Sequence, residues 1–187
     1  MKHEMAATPL AAREVMAFWR TAGPKKWFSR DDAFDREIRS RFLPLYEQAA
    51  AGELGDWEGS PIGALALVIL LDQFPRNMFR DDARAYAADP LAREVAARAI
   101  ERGFDKHASI DDRLFFYLPF EHSEAMEDQE RCLALMRGLG NEDLMKWAEL
   151  HADIIRRFGR FPHRNAVLAR ESTPEEKAFL EAGGFSG

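Results

Sequence analysis

Cysteine is nearly absent from this sequence, which has one cysteine among 187 residues. Cys132 alone cannot form an internal disulfide bond or supply a multi-thiolate metal site. Its scarcity fits a reducing compartment, and the first fifteen residues lack the continuous apolar stretch of a secretion signal. We therefore predict a cytoplasmic protein with no metal site and no cofactor.

Long apolar runs and basic stripes are also missing. The longest apolar run, "PIGALALVILL" at 61–71, falls well short of the roughly 20 residues that a membrane-spanning helix needs. The formal net charge is −6, with both signs interspersed along the chain, whereas a nucleic-acid-binding surface needs clustered positive charge. Neither a membrane nor a nucleic acid is an expected partner, and the sequence gives no basis for an oligomeric state.

Strand patterns are lacking too, because β-branched residues never alternate with polar ones over the length of a strand. Apolar residues make up 47% of the chain and helix start and stop signals recur along it. We predict one all-α domain over residues 1–187, built from antiparallel helix pairs. Its helices are expected near 9–21, 30–50, 61–73, 81–88, 90–102, 110–118, 122–138, 142–158 and 174–181, with a kink or split at Pro44 and with 62–71 buried at the centre.

Several helix starts are marked by an oxygen-bearing side chain followed by proline. Such a side chain accepts a hydrogen bond from a free amide of the first turn, and proline at the first helical position needs no donor. This pattern occurs at Thr8-Pro9, Ser60-Pro61, Asp89-Pro90 and Thr173-Pro174.

Two similar proline motifs, "FPRN" at 74–77 and "FPHRN" at 161–165, are expected to break helices. If the helices at 122–138 and 142–158 pair in antiparallel fashion, segment 119–124 lies beside segment 159–165. The short connections before residue 90 are expected to bring the first motif to the same end. The two motifs would then wall one polar pocket.

Polar and aromatic side chains in these three segments, and just before the first two of them, are the candidate ligand-binding residues. They are Asp72, Gln73, Arg76, Asn77, Tyr117, Glu121, His122, Glu124, Arg160, His163, Arg164 and Asn165. Arginines that donate two parallel hydrogen bonds favour a carboxylate or phosphate. We therefore predict a binding module for a small anionic ligand or an acidic peptide end. The alternative is structural: the arginines pair with Asp72, Glu121 and Glu124 and satisfy carbonyls freed at the prolines.

Two further functions fit the same residues. A hydrolase would use His122 or His163 as a general base oriented by Glu121, and no catalytic residue is assigned beyond that alternative. A helical scaffold would instead bind a partner protein along its paired helices. The Glu-x-x-His spacing of helical dimetal sites does not occur, and His151, inside an apolar stripe, is expected to be a core histidine.

Long segments of this sequence resemble the signature segments of the bacterial domain of unknown function 924 family. They are "LDQFPRNMFR" (71–80), "YLPFEHSE" (117–124) and "RFGRFPHRNAVLARESTPEE" (157–176), with "FW" at 18–19 and "KKWF" at 25–28 resembling its N-terminal pattern. Arg20 and Ala169 stand where the pattern has an aromatic residue and a glycine. The resemblance implies an all-helical, tetratricopeptide-like arrangement, and it brings no established reaction.

Overall fold

The computed structural model describes residues 7–186, and this part of the chain is all-α, with no β-strand. The longer helices are α1 (Leu10–Ala22), α3 (Asp32–Ala50), α6 (Asp89–Glu101), α7 (Ile110–Glu121), α8 (Met126–Arg137) and α9 (Glu142–Phe158). The shorter ones are α2 (Pro24–Trp27), α4 (Pro61–Val68), α5 (Phe74–Met78) and α10 (Pro174–Glu181). The predicted fold class is confirmed, while the tetratricopeptide-like pairing of the helices stays a prediction.

The described chain divides into two compact units. Unit 1 contains the residues up to Arg80 together with Arg84–Pro119, and unit 2 contains Asp81–Ala83 together with the residues from Phe120 onward. The first proline motif lies in unit 1 and the second in unit 2. That all residues form one domain stays a prediction.

The first proline motif does not break the chain as predicted. A π-helical segment, Ile69–Gln73, joins α4 to α5, so the chain is helical from Pro61 to Met78. Proline normally clashes with the carbonyl one turn earlier, but the wider i→i+5 turn before Pro75 moves that carbonyl out of its α-helical position. The second break is confirmed, because α9 ends at a left-handed Gly159 and a 3-10 turn follows at Pro162–Arg164.

The helix predicted at 81–88 is also wrong. Asp81 has a φ of 60°, outside the right-handed helical region, and only a 3-10 turn forms at Ala83–Ala85. Pro44 does not split α3, which continues through it. The predicted split is therefore wrong, and α3 is a single element from Asp32 to Ala50.

Two of the four predicted helix caps are confirmed. Ser60 accepts from the Gly63 amide, and Thr173 forms a capping box with Glu176. Thr8 instead donates to the Ser60 hydroxyl at 3.1 Å, and α1 begins without a side-chain cap. Asp89 is the first residue of α6 rather than its cap, since its carboxylate is held by an arginine described below.

Unit 1 is built around α4 and the π segment. Helix α4 packs against α1 and α6, and α3 packs along α5. The residues from Gly63 to Gln73 are all buried, which confirms the predicted central helix. Trp19 lies edge-on to Phe74 and Phe115, with ring centroids 5.6 and 5.5 Å apart. These aromatic contacts pack α1 against α5 and α7.

Unit 2 is built on the predicted pairing of α8 with α9. Ile154, Ile155 and Phe161 form its apolar core, against which Phe179 of α10 and Phe185 of the C-terminal segment pack. Gln129 of α8 is buried and donates to the backbone carbonyls of Glu121 and Ser123 at 2.7 Å. It thereby satisfies carbonyls at the end of α7.

Candidate functional site

The polar residues of the first motif lie on the π segment and α5, where they contact other side chains of unit 1. Arg76 donates to both carboxylate oxygens of Asp89, at 2.8 and 2.9 Å, and to the backbone carbonyl of Asp72 at 2.7 Å. Gln73 donates to the Asp72 carboxylate at 2.6 Å, and Asp72 is fully buried. The carboxylates of Asp89 and Asp72 therefore both lie beside the Arg76 guanidinium. The structural alternative predicted the pairing with Asp72.

Asn77 belongs to a second network in unit 1. Its amide donates to Asp35 of α3 at 2.8 Å, and Arg80 donates to both oxygens of the same carboxylate. Asp35 thus ties α5 to α3. Neither Asp35 nor Asp89 is among the candidate ligand-binding residues, and Asp89 was predicted only as a helix cap.

Tyr117 is buried in α7 and directed into unit 1. Its hydroxyl donates to Asp105 at 2.6 Å and accepts from Arg113. Burial, together with the hydrogen bond to Asp105, raises the pKa of Tyr117 to about 12. The phenol is therefore a neutral structural donor at physiological pH.

In unit 2, Glu124 holds the loop that carries the second motif. It accepts from the Phe161 amide at 2.8 Å and from two guanidinium nitrogens of Arg170 at 2.7 and 3.0 Å. Burial opposes ionisation, but the hydrogen bonds from Arg170 and Phe161 lower the pKa of Glu124 overall. The arginine that pairs with Glu124 is thus Arg170, which the sequence analysis did not single out.

Arg160 and Asn165 both contact Glu176 of α10. Arg160 donates to its two carboxylate oxygens at 2.6 and 2.9 Å, and Asn165 donates to one of them at 3.3 Å. The Arg160 hydrogen bonds outweigh burial and lower the pKa of Glu176 to about 2. The Arg160 guanidinium is therefore already bound to a carboxylate of the protein itself.

His163 and Arg164 pack against aromatic rings. The Arg164 guanidinium carbon lies 4.5 Å from the centroid of the Phe161 ring. The His163 ring centroid lies 5.7 Å from that of Phe161 and 5.3 Å from that of Phe185. Arg164 is buried, whereas His163 is half-buried.

The carboxylate of Glu121 lies beside the core histidine. His151 Nδ1 is 3.4 Å from Glu121 Oε1 and 2.8 Å from the Trp147 carbonyl oxygen, and both side chains are buried. His122 is half-buried just after α7. From the sequence, Glu121 was expected to orient His122 or His163, and His151 was expected to be a core histidine. The contact between Glu121 and His151 was therefore not predicted.

A surface cleft lies between α1, α2 and α3 in unit 1, and none of the candidate ligand-binding residues lines it. It encloses about 470 Å³, within the range of small-molecule sites. It is lined by Glu14, Ala17, Phe18, Thr21, Ala22, Lys26, Phe34, Glu37 and Arg41. The lining positions on α1 are spaced as one face of a helix. Phe18 and Lys26 belong to the short N-terminal "FW" and "KKWF" segments.

The floor of the cleft is aromatic. Phe18 is half-buried and stacks on the buried Phe34, with ring centroids 5.4 Å apart and an angle of 10° between the planes. The Lys26 ammonium lies 5.2 Å from the Phe34 centroid, and the Arg41 guanidinium lies 4.7 Å from that of Phe18. An apolar surface is thus placed directly beside two exposed cations.

Residues 7–186 contain neither a metal-binding cluster nor a membrane-spanning helix. No group of histidine, cysteine, aspartate and glutamate side chains in this range could hold a metal ion. Over the same range, none of the helices is long and apolar enough to cross a membrane. The thiol of Cys132 is buried, and burial raises its pKa, so it is not a thiolate nucleophile.

Comparison with known proteins gives a family and a neighbour of unknown function. A family model described as "Bacterial protein of unknown function (DUF924)" matches residues 15–184. A solved structure of a protein of unknown function from Agrobacterium tumefaciens is 50% identical, covers 92% of this chain and 98% of its own, and has a TM-score of 0.90. No curated protein gives a significant match.

Proposed function

The chain belongs to the bacterial DUF924 family, and we propose that it is a binding module whose site is the cleft between α1 and α3. Its ligand is a small organic anion or the carboxyl end of a peptide, with an apolar group next to the carboxylate. This refines the ligand class predicted from the sequence and changes its location.

One observation carries the proposal: an open cleft with a stacked aromatic floor has a lysine ammonium over that floor. The Lys26 side chain is 48% exposed, so its charge is available to a ligand from solvent. A flat or aliphatic group covering the half-buried Phe18 would bury apolar area at roughly 25 cal/mol per Å². A carboxylate on that group would then lie beside Lys26.

The arginines of the proline motifs support the change of location. Arg76 and Arg160 each already donate two hydrogen bonds to a carboxylate of the protein. An incoming anion would have to displace those carboxylates and leave them without partners, which is costly for buried charges. The common pocket of the two motifs remains a prediction.

Isothermal titration with N-acetyl-phenylalanine tests the proposal. We expect saturable binding of the acid, weaker binding of its carboxamide, and about a fivefold loss of affinity in Lys26→Gln, the scale of an exposed ion pair. Lys25→Gln is the matched control, because Lys25 is exposed on the same short helix and does not line the cleft. Equal binding of the acid and the carboxamide would contradict recognition of a carboxylate.

A cytoplasmic location is part of this proposal, supported by the single cysteine and its burial. The hydrolase alternative stays a prediction, for which loss of turnover in His122→Ala would be the supporting result. The scaffold alternative stays a prediction as well.

A further inference from the structure

The charges around the cleft are unequally compensated. Arg41 and Glu37 form a hydrogen-bonded ion pair at 3.2 Å. Lys26 reaches Asp31 only at 3.9 Å. For the exposed Glu14 side chain, the described residues provide neither an ion pair nor a hydrogen bond. The Lys26 charge is therefore compensated only by a long ion pair, and the Glu14 charge is not compensated by the described residues.

These two charges lie at opposite ends of the cleft. The Phe18 ring contacts both Phe34 and Phe42 of α3, with centroids 5.4 and 5.0 Å away. It therefore lies beside the middle of the α3 segment between these two residues. Lys26 lies over Phe34, at one end. Glu14 is one turn before Phe18 on α1, on the side away from α2, and therefore at the other end.

The length of the cleft follows from helix geometry. Its α1 lining extends from Glu14 to Ala22, eight residue steps or about 12 Å at the rise of an α-helix. Its α3 lining extends from Phe34 to Arg41, seven residue steps or about 10 Å. The middle of this length is the aromatic floor.

We propose that the ligand is a small zwitterion whose ammonium and carboxylate groups are about 10 Å apart, a separation taken from the helix rise. The carboxylate lies at Lys26, the ammonium at Glu14, and the apolar middle covers Phe18. This inference rests on the proposed function, which assigns only the carboxylate and the apolar contact. It adds the second charge and the distance between the two.

Two kinds of molecule have this chemistry. An extended tripeptide with free ends spans about 10 Å at 3.3–3.6 Å per residue, and a central phenylalanine would place a ring over Phe18. A linear ω-amino acid of similar extended length would place its methylenes there instead. A free α-amino acid is too short to reach both charged ends.

Paired probes separate the contribution of each charge. The wild-type protein is titrated calorimetrically with ω-aminooctanoate and octanoate, and with Gly-Phe-Gly and its N-acetylated form. The same titrations are made on Glu14→Gln, on Lys26→Gln and on Glu53→Gln, an exposed control outside the cleft. We expect the ammonium to improve binding about fivefold in the wild type and in the control, and not in Glu14→Gln, as for an exposed ion pair.

The outcomes distinguish the two levels of the proposal. Equal affinity of each ammonium probe and its uncharged partner for the wild type overturns the zwitterion. An ammonium advantage that survives in Glu14→Gln overturns it as well. In both cases the proposed function still stands if octanoate binds the wild type and binds Lys26→Gln more weakly. If none of the four probes binds, both the zwitterion and the proposed function are overturned. Which ammonium probe binds more tightly decides between peptide and ω-amino acid.

Discussion

Arg76 and Asp89 form a bidentate ion pair inside unit 1, with hydrogen bonds of 2.8 and 2.9 Å from the guanidinium to the two carboxylate oxygens. The arginine belongs to the first proline motif and the aspartate begins α6. Their side chains are 21% and 10% exposed. The pair fastens α5 to the start of α6.

The first prediction concerns this pair. Arg76→Gln leaves the Asp89 carboxylate largely buried without its main partner, so we expect unfolding free energy to fall by about 2–4 kcal/mol, as for a broken buried pair with some solvent access. Urea denaturation measures this change. Arg13→Gln, an exposed position on α1, is expected to stay within about 0.5 kcal/mol. A variant Arg76→Gln as stable as wild type would contradict the structural role.

The second prediction concerns the close approach of Gly63 to a backbone carbonyl. A Cβ atom at Gly63 would lie 2.1 Å from the Trp57 carbonyl oxygen, and the backbone there cannot yield as a flexible side chain would. Gly63→Ala is expected to cost about 3 kcal/mol or more by overpacking. Gly55→Ala is the control, since no atom lies within 4 Å of its added Cβ. Equal thermal unfolding temperatures of the two variants would contradict the packing of α4.

The third prediction concerns Ala169, which has a φ of 53°. The left-handed conformation is strained for alanine and free of strain for glycine. Ala169→Gly should therefore raise the unfolding free energy, by up to about 1 kcal/mol. Ala166→Gly, in the same turn without a positive φ, should lower it. Destabilisation by Ala169→Gly, measured in urea, would argue against this backbone conformation.

The fourth prediction is a pH dependence from Glu176. Its pKa is lowered from 4.5 to about 2, so the folded state binds this proton less readily than the unfolded state. The stability it contributes is complete above pH 4.5 and is lost as the pH falls from there towards 2. Glu176→Gln, which can keep the capping box, should be less stable at neutral pH and lose less stability across that window.

Circular dichroism during acid titration measures this difference. Glu181→Gln is the control on the same helix, because Glu181 is exposed and outside the Arg160 contact. The account is contradicted if Glu176→Gln and wild type lose helical signal in parallel between pH 4.5 and 2.

Local chemistry made much of the fold predictable. Ser60 and Thr173 cap helices through contacts within three residues of the chain, and such short-range signals are readable from spacing alone. The buried central helix follows from its apolar composition on every side. The π-helical segment was not predicted. The sequence shows the proline, but no residue pattern in it indicates a turn with i→i+5 hydrogen bonds.

Partners distant in sequence were the ones missed. Arg76 with Asp89 is separated by 13 residues, and Glu124 with Arg170 by 46. Chemistry predicts that a buried arginine finds a carboxylate, but only the fold selects which one. The cleft was missed for the same reason, since its lining comes from three helices and its floor, Phe18 and Phe34, has the composition of an ordinary core.

The most direct test of the central claim is a ¹⁵N–¹H correlation spectrum of the labelled protein titrated with N-acetyl-phenylalanine. We predict that saturable amide shift changes concentrate on α1, α2 and the first half of α3, around Phe18, Lys26 and Phe34, and that Lys26→Gln weakens them. Shift changes that concentrate instead on the Arg76 or Arg164 segments, or an unchanged spectrum at millimolar ligand, would contradict the assignment of the cleft as the binding site.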